Sequence, residues 1–208
     1  MTASFWRPIW ESKAVGPINA ASGRSSYGPA AVAALVADAV AGLGLEPGDG
    51  LLDIGCAAGL IGQYLAPRLR TYVGLDYVAE AVRQFGRRCG TRTVCASAMA
   101  LPFADGSFDK SLMSSVLLCL SLDECRQALR EMRRVTRKRG FCSGNLVGNR
   151  PDGHYCPKGC HCYAHATWFR PGTLLDLALA CGWHSAYLTP ISPELEHSAF
   201  MVDMILEI

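Results

Sequence analysis

Short apolar runs bounded by glycine and proline alternate along the chain with stretches whose apolar residues recur every three or four positions. The first pattern predicts buried strands and the second amphipathic helices. Strands are expected at 50–54, 71–75, 93–96, 110–115 and 141–147. Between them, helices are expected at 30–42, from Leu60 to a stop at Pro67, and around Val78, Ala81, Val82 and Phe85. Another carries Leu122, Cys125, Ala128, Leu129, Met132 and Val135, with Gly140 as its stop. Ser121 and Glu124, three residues apart, have the form of a capping box at its start. A loop over 148–165, a helix over 171–181 and two strands at 183–188 and 198–206 complete the chain. Strands alternating with helices of this length imply a parallel sheet covered on both faces.

Composition narrows the class without naming a ligand. The 208 residues are 50% apolar and 18% charged, which suits one α/β domain with a full core. A formal net charge of +2 demands no polyanionic partner. Arg83, Arg87, Arg88 and Arg92 read as a solvated helix face, so nucleic acid is not the expected partner. No apolar run approaches the roughly 20 residues of a membrane span, and no secretory leader is visible, so a cytoplasmic setting is expected. Ten cysteines are many; Cys56, Cys95, Cys119, Cys125, Cys142 and Cys181 fall in apolar patterns, as small core residues do in a reducing compartment. Residues 1–29, rich in Gly, Ser, Pro and aromatics, read as an N-terminal arm or lid, with Phe5, Trp6 and Trp10 packing on the domain or shaping a pocket. The remainder, 30–208, reads as a single domain with a Cys/His-rich insertion at 148–165.

The chemistry concentrates in LLDIGCAAG, residues 51–59. A strand enters a run of small residues that lets the backbone approach a ligand, and a following helix start offers free N–H groups. Seventeen residues beyond Gly59, the strand Gly74-Leu75-Asp76 ends in a carboxylate. A glycine turn followed by an acid at about this spacing grips a nucleoside through its ribose hydroxyls.

Five motifs in order resemble the class I S-adenosylmethionine-dependent methyltransferases, most of all the small-molecule branch. LLDIGCAAG is similar to that family's D-x-G-x-G-x-G loop, and GLDYVAEAV to the acid-ended second strand. LPFADGSFD at 101–109, SLMSSVLLCL at 111–120 and EMRRVTRKRGF at 131–141 match the later elements at family spacing. The resemblance implies a Rossmann-like methyltransferase fold: a mostly parallel seven-stranded sheet with helices on both faces and an antiparallel last strand. It implies S-adenosylmethionine as cofactor and a small-molecule acceptor methylated by in-line displacement, in a monomer or homodimer. Carried onto this chain, the cofactor site comprises Asp53, Gly55, Cys56, Ala57 and Gly59 in the first loop. Asp76 and Tyr77 follow the second strand, Ser97, Ala98 and Met99 line the adenine, and Ser115 and Val116 border the sulfonium. Two departures stand out. Ala57 replaces the middle glycine, so the loop must keep a negative φ there or carry strain. Ala96-Ser97-Ala98 replaces an acidic element, leaving Ser97 as a weaker acceptor for the adenine amino group.

A general base is needed only for an alcohol, phenol or thiol acceptor. His165 and His154, in the loop after the fifth strand, are the candidate catalytic residues, with His161 a third. The same loop, HYCPKGCHCYAH, gathers three thiols and three imidazoles within twelve residues. Cys156, Cys160, Cys162 and His161 could close a tetrahedral Zn2+ site. Reduced cysteines in an irregular loop, a disulfide, or a thiol grip on a metalloid acceptor are the alternatives. A non-catalytic module that binds the nucleoside and transfers nothing is the alternative of a different class.

Overall fold

The computed structural model describes residues 3–148, 152–155, 166–195 and 201–208. Helix α1 (Ala3–Ala14) and the short α2 (Ile18–Ala21) precede α3 (Pro29–Leu43), which starts on a first-turn proline and ends at Gly44 with φ 58°. Then come β1 (Gly50–Ile54), α4 (Gly62–Leu65), β2 (Thr71–Asp76), α5 (Ala79–Cys89), β3 (Arg92–Cys95) and β4 (Phe108–Ser114). Helix α6 (Leu122–Val135) leads into β5 (Thr136–Val147), and β6 (Gly153–Tyr155) and β7 (Ala166–Phe169) follow. Helix α7 (Pro171–Ala180), β8 (Ser185–Pro190) and β9 (Met201–Glu207) close the chain.

Nine strands join one sheet among the described residues, in the order β3-β2-β1-β4-β5-β7-β6, with β9 on β5 and β8 on β9. Pairings from β3 through β5 to β7 are parallel; β9, β8 and β6 run antiparallel to their neighbours. The expected mostly parallel sheet is therefore present, with two strands more than the expected seven. Their cause is the length of β5. Its twelve residues outrun the pairing with β4, which ends at Ser143, and Leu146 and Val147 take Trp168 and Phe169 of β7 as parallel partners. The expected continuous loop over 148–165 is thus interrupted by β6, which pairs antiparallel with β7.

Helices cover both faces because β1 alternates. Leu52 and Ile54 join a core with Leu129 and Met132 of α6 and Leu174 of α7. Leu51 joins the opposite core with Val36 of α3 and Phe85 of α5. The capping box of α6 forms as expected: Glu124 N–H donates to Ser121 Oγ at 3.3 Å and Ser121 N–H to Glu124 Oε2 at 2.9 Å.

Four local expectations change. Helix α6 stops at Val135, and Gly140 lies inside β5. A Cβ at Gly140 would stand 2.7 Å from the Trp183 indole, so packing and not helix termination requires glycine there. The helix after the glycine loop shrinks to the four residues of α4 plus a 3-10 turn, Ala66–Arg68, leaving Tyr64 44% exposed. Cys95 is exposed and Cys119 half-buried, whereas Cys56, Cys125, Cys142 and Cys181 are buried; all are free thiols. Arg88 is drawn from the solvated face of α5 to the loop carbonyl of Ala58 at 3.2 Å.

Candidate cofactor and acceptor site

The sheet order reverses between β1 and β4, whose neighbours lead away on either side. In an open α/β sheet the ligand crevice lies at the carboxyl ends of the strands flanking such a reversal. Here those ends are the 55–59 loop and Ser115-Val116, and a cavity of about 250 Å³ opens between them.

The loop is built by close approach. Gly55 (φ 78°) and Cys56 donate to Leu75 O at 2.7 and 3.0 Å, tying β1 to β2 just before Asp76. A Cβ on Gly55 would lie 2.4 Å from Val116 Cγ2. Gly59 (φ 86°) faces Phe85, where a Cβ would lie 2.1 Å from the ring; it packs α5 under the loop and does not line the cavity. Ala57 adopts φ 47°, so of the two outcomes expected from sequence the loop takes the strained one. Its N–H donates to Asp76 Oδ2 at 3.0 Å, while Val78 N–H donates to Asp76 Oδ1 at 2.9 Å. Asp76 is buried, and burial pushes its pKa up against these backbone donors. A carboxylate has about four lone-pair sites, so acceptor capacity is left for ribose hydroxyls.

Asp53 lines the floor. Burial raises its carboxyl to about 6, opposed by the Tyr72 hydroxyl that donates to it and, more weakly, by Arg24. Just beyond β3, Ser97, Ala98 and Met99 all border the cavity. Ser97 Oγ accepts Met99 N–H at 3.2 Å, which fixes the turn and occupies part of the hydroxyl's capacity. Cys56, Ala57, Tyr77, Ser115 and Val116 complete the predicted lining. The Tyr77 hydroxyl is buried without a hydrogen-bond partner among the described residues, and burial raises its pKa.

The arm supplies residues that sequence reasoning only half anticipated. Trp6, Arg7 and Trp10 of α1 line the cavity, with the two indoles 6.3 Å apart and the Arg7 guanidinium 5.2 Å from the Tyr77 ring centre. Cys119, in a 3-10 turn after β4 (Leu117–Cys119), also reaches the cavity. Burial pushes its thiol to about 12, opposed by a hydrogen bond with Trp10. Ser22 and Arg24 were missed altogether. The Ser114 and Ser115 hydroxyls that Arg24 meets lie about 90 positions away, and nothing in the local pattern singles out either residue.

His154 lies in β6, its backbone paired with Thr167. His165, and the metal candidates Cys156, Cys160, Cys162 and His161, lie outside the described residues. Among the described residues no group of three or more His, Cys, Asp or Glu side chains could hold a metal ion. No helix among them is long and apolar enough to cross a membrane.

Residues 52–143 match the methyltransferase domain family. A demethylmenaquinone methyltransferase of Corynebacterium urealyticum is 36% identical over 98 residues, 47% of this chain and 41% of that protein. A protein of the same name from Renibacterium salmoninarum is 36% identical over 107 residues, 51% of this chain and 43% of its own length. The matched stretch thus spans less than half of these relatives. Among solved structures, phosphoethanolamine N-methyltransferase 1 of Haemonchus contortus superposes with a TM-score of 0.75 at 15% identity, over all of this chain and 50% of that one. The 1,6-didemethyltoxoflavin-N1-methyltransferase of Burkholderia thailandensis gives 0.68 at 17% identity, over all of this chain and 90% of that one. At such identities the structural likeness speaks for the fold alone. The domain match and the reversal-point cleft agree: over residues 52–143 this chain is similar to methyltransferase domains.

Proposed function

We propose that the protein transfers a methyl group from S-adenosylmethionine to a small, largely apolar acceptor. The observation that carries this reading is the convergence of the Gly55–Ala57 backbone, the Asp76 carboxylate and the Ser97–Met99 turn on one cavity. When bound, the cofactor supplies a sulfonium-activated methyl. Asp76 accepts from the ribose hydroxyls, and Ser97, Ala98 and Met99 border the adenine. Ser115 and Val116 flank the reacting end, and Trp6 and Trp10 exclude water above it. Fixing an acceptor in near-attack geometry can supply about 7–11 kcal/mol of the barrier, so positioning does most of the work. Cys119 and Tyr77 hold their protons at neutral pH and are poor bases. An acceptor that needs deprotonation would draw on His154 or His165.

The apolar, indole-lined mouth suits a planar aromatic acceptor, in keeping with the quinone-type substrates named for the matched relatives. Release of S-adenosylhomocysteine, followed across an acceptor panel, tests the reading. Tight cofactor binding with no product from any acceptor would favour the non-catalytic module. Cys156, Cys160, Cys162 and His161 are proposed as a Zn2+ clip on the acceptor side. Metal analysis of protein purified without chelator decides it, since three titratable thiols with no bound metal would refute the clip. Methylation of a thiol or metalloid held by those cysteines is the competing acceptor reading, and arsenite and thiol compounds belong in the panel. The arm at 1–29, the domain at 30–208, a cytoplasmic setting and a monomeric or homodimeric state complete the proposal.

A further inference from the structure

Strand β5 breaks its register with β9 beside the cavity. Cys142 pairs with Met204 and Asn145 with Val202, so Ser143 and Gly144 together face Asp203. Two residues against one make a β-bulge, a device that recurs next to active sites and re-aims a neighbouring side chain. Gly144 takes a left-handed φ of 68° there. Two buried polar side chains serve the backbone groups that the bulge takes out of the ladder. Asp203, 2% exposed, accepts the Gly144 N–H on Oδ1 at 2.9 Å. Asn145, 1% exposed, donates through Nδ2 to Cys142 O at 2.6 Å and to Val202 O at 3.3 Å. Buried polar groups that find partners fix a single local arrangement, so the irregularity is held in place.

The bulge reaches the cavity through the end of β4. Ser143 O accepts the Ser115 N–H at 2.9 Å, and Ser143 Oγ donates to Ser114 Oγ at 2.8 Å. A Cβ on Gly144 would stand 2.7 Å from Ser115 Oγ, so the glycine backbone lies directly against that side chain. Ser115 has φ 58°, a conformation that a residue with a Cβ keeps only when its surroundings fix it. Arg24 Nη2 donates to the hydroxyls of Ser114 and Ser115 at 2.7 and 3.0 Å. Both serines line the cavity, and Asp203 stands behind them, outside the lining.

We propose that Asp203 is a positioning residue for methyl transfer: by holding the Gly144 bulge it seats Ser114 and Ser115 where they border the reacting end of the bound cofactor. The inference rests on the cofactor reading above. Asp203 acts by accepting a hydrogen bond and not by its charge. Burial raises its carboxyl to about 7, the Gly144 N–H opposes this, and Asp38 of α3 adds to it. Protonated or ionised, the carboxyl keeps an oxygen for that N–H. Asp38 is engaged elsewhere, accepting from Ser192 N–H at 3.2 Å and from Ser192 Oγ at 2.6 Å.

Calorimetric titration with S-adenosylhomocysteine, run beside urea unfolding, tests the assignment. Asp203→Leu keeps a branched side chain but removes the acceptor, and should weaken the nucleoside by about 5- to 20-fold in protein that is still folded. Asp203→Asn keeps an acceptor oxygen and should stay within about threefold of wild type. Gly144→Ala leaves Asp203 untouched, drives a methyl against Ser115 Oγ, and should also weaken binding by about 5-fold or more. Ser192→Ala loosens the tie to α3 without touching the bulge and should leave affinity within about twofold. In amide NMR spectra the Ser115 N–H resonance should shift in Asp203→Leu and hold its place in Asp203→Asn. Wild-type affinity in Asp203→Leu beside a lowered urea midpoint would overturn the proposal, because Asp203 would then serve stability alone. So would an Asn variant that loses as much as the Leu variant, or a Ser192→Ala loss of the same size. If Asp203→Leu does not fold, wild-type affinity in Gly144→Ala overturns it. A wild-type protein that does not bind S-adenosylhomocysteine refutes the cofactor reading, and the positioning role falls with it.

Discussion

Substituting Ala57 by glycine separates backbone strain from ligand chemistry. Ala57 sits at φ 47°, a conformation that costs a residue with a Cβ about 1–2 kcal/mol. Glycine removes that strain but frees the unfolded chain, a loss of about 0.4–1 kcal/mol. The methyl is half-buried and its removal forfeits only part of the roughly 0.8 kcal/mol of a fully buried carbon. Strain relief is the largest of the three, so Ala57→Gly should be neutral to stabilising, by up to about 1 kcal/mol. In a chain of this length that is an increase in Tm of up to about 2–4 °C. The neighbouring Gly59→Ala provides the opposite sign. It adds strain at φ 86° and drives a Cβ to 2.1 Å from the Phe85 ring, and should destabilise by about 3 kcal/mol or more. Urea unfolding of both variants beside wild type reads the two effects as shifts in midpoint at constant m. A midpoint for Ala57→Gly lowered by the equivalent of 1 kcal/mol would refute the strained loop.

Other expectations follow from the same site. Asp76→Ala should weaken S-adenosylhomocysteine binding by about 100-fold and also cost about 1–3 kcal/mol of stability, because Ala57 and Val78 lose their acceptor; unchanged affinity by calorimetry would remove the ribose assignment. Asp53 titrates at about 6 in the folded chain against 3.8 unfolded, so the folded state holds the extra proton between these values. The stabilising effect of its neutral form is complete below about pH 3.8 and lost as pH rises through 6, a change of about 3 kcal/mol. Buried Asp203, raised to about 7 by desolvation against its Gly144 donor, extends the trend upward. Asp53→Asn should flatten the lower part of that profile in pH-dependent urea melts, and an unchanged slope would contradict it.

Strands were readable where apolar residues stand in near-continuous runs, as in Leu51, Leu52 and Ile54 around Asp53, because parallel strands are buried on both faces. The glycine loop and Asp76 were legible because their spacing is set by one β–turn–β geometry. Leu60 and Ile61 misled. Their helical spacing reflects burial in a turn beside the cavity, and only Gly62–Leu65 turns as a helix. Gly140 misled for a related reason, since the partner that requires it, Trp183, is remote in sequence. Ser22 and Arg24 carried no signal at all. A polar residue in a turn looks like any other until the fold brings Ser114 and Ser115 beside it.

The placement of Arg24 has a consequence for redesign. The cavity is lined by residues within 52–143 and by a turn that lies upstream of them. Arms are the natural parts to exchange when a new acceptor is wanted. In this protein such a graft would carry away part of the cavity lining, Ser22 and Arg24 included. A chimaera that kept Trp6 and Trp10 but lost the guanidinium would leave the Ser114 and Ser115 hydroxyls without the group that spans them, and the carboxyl end of β4 would need a new tie.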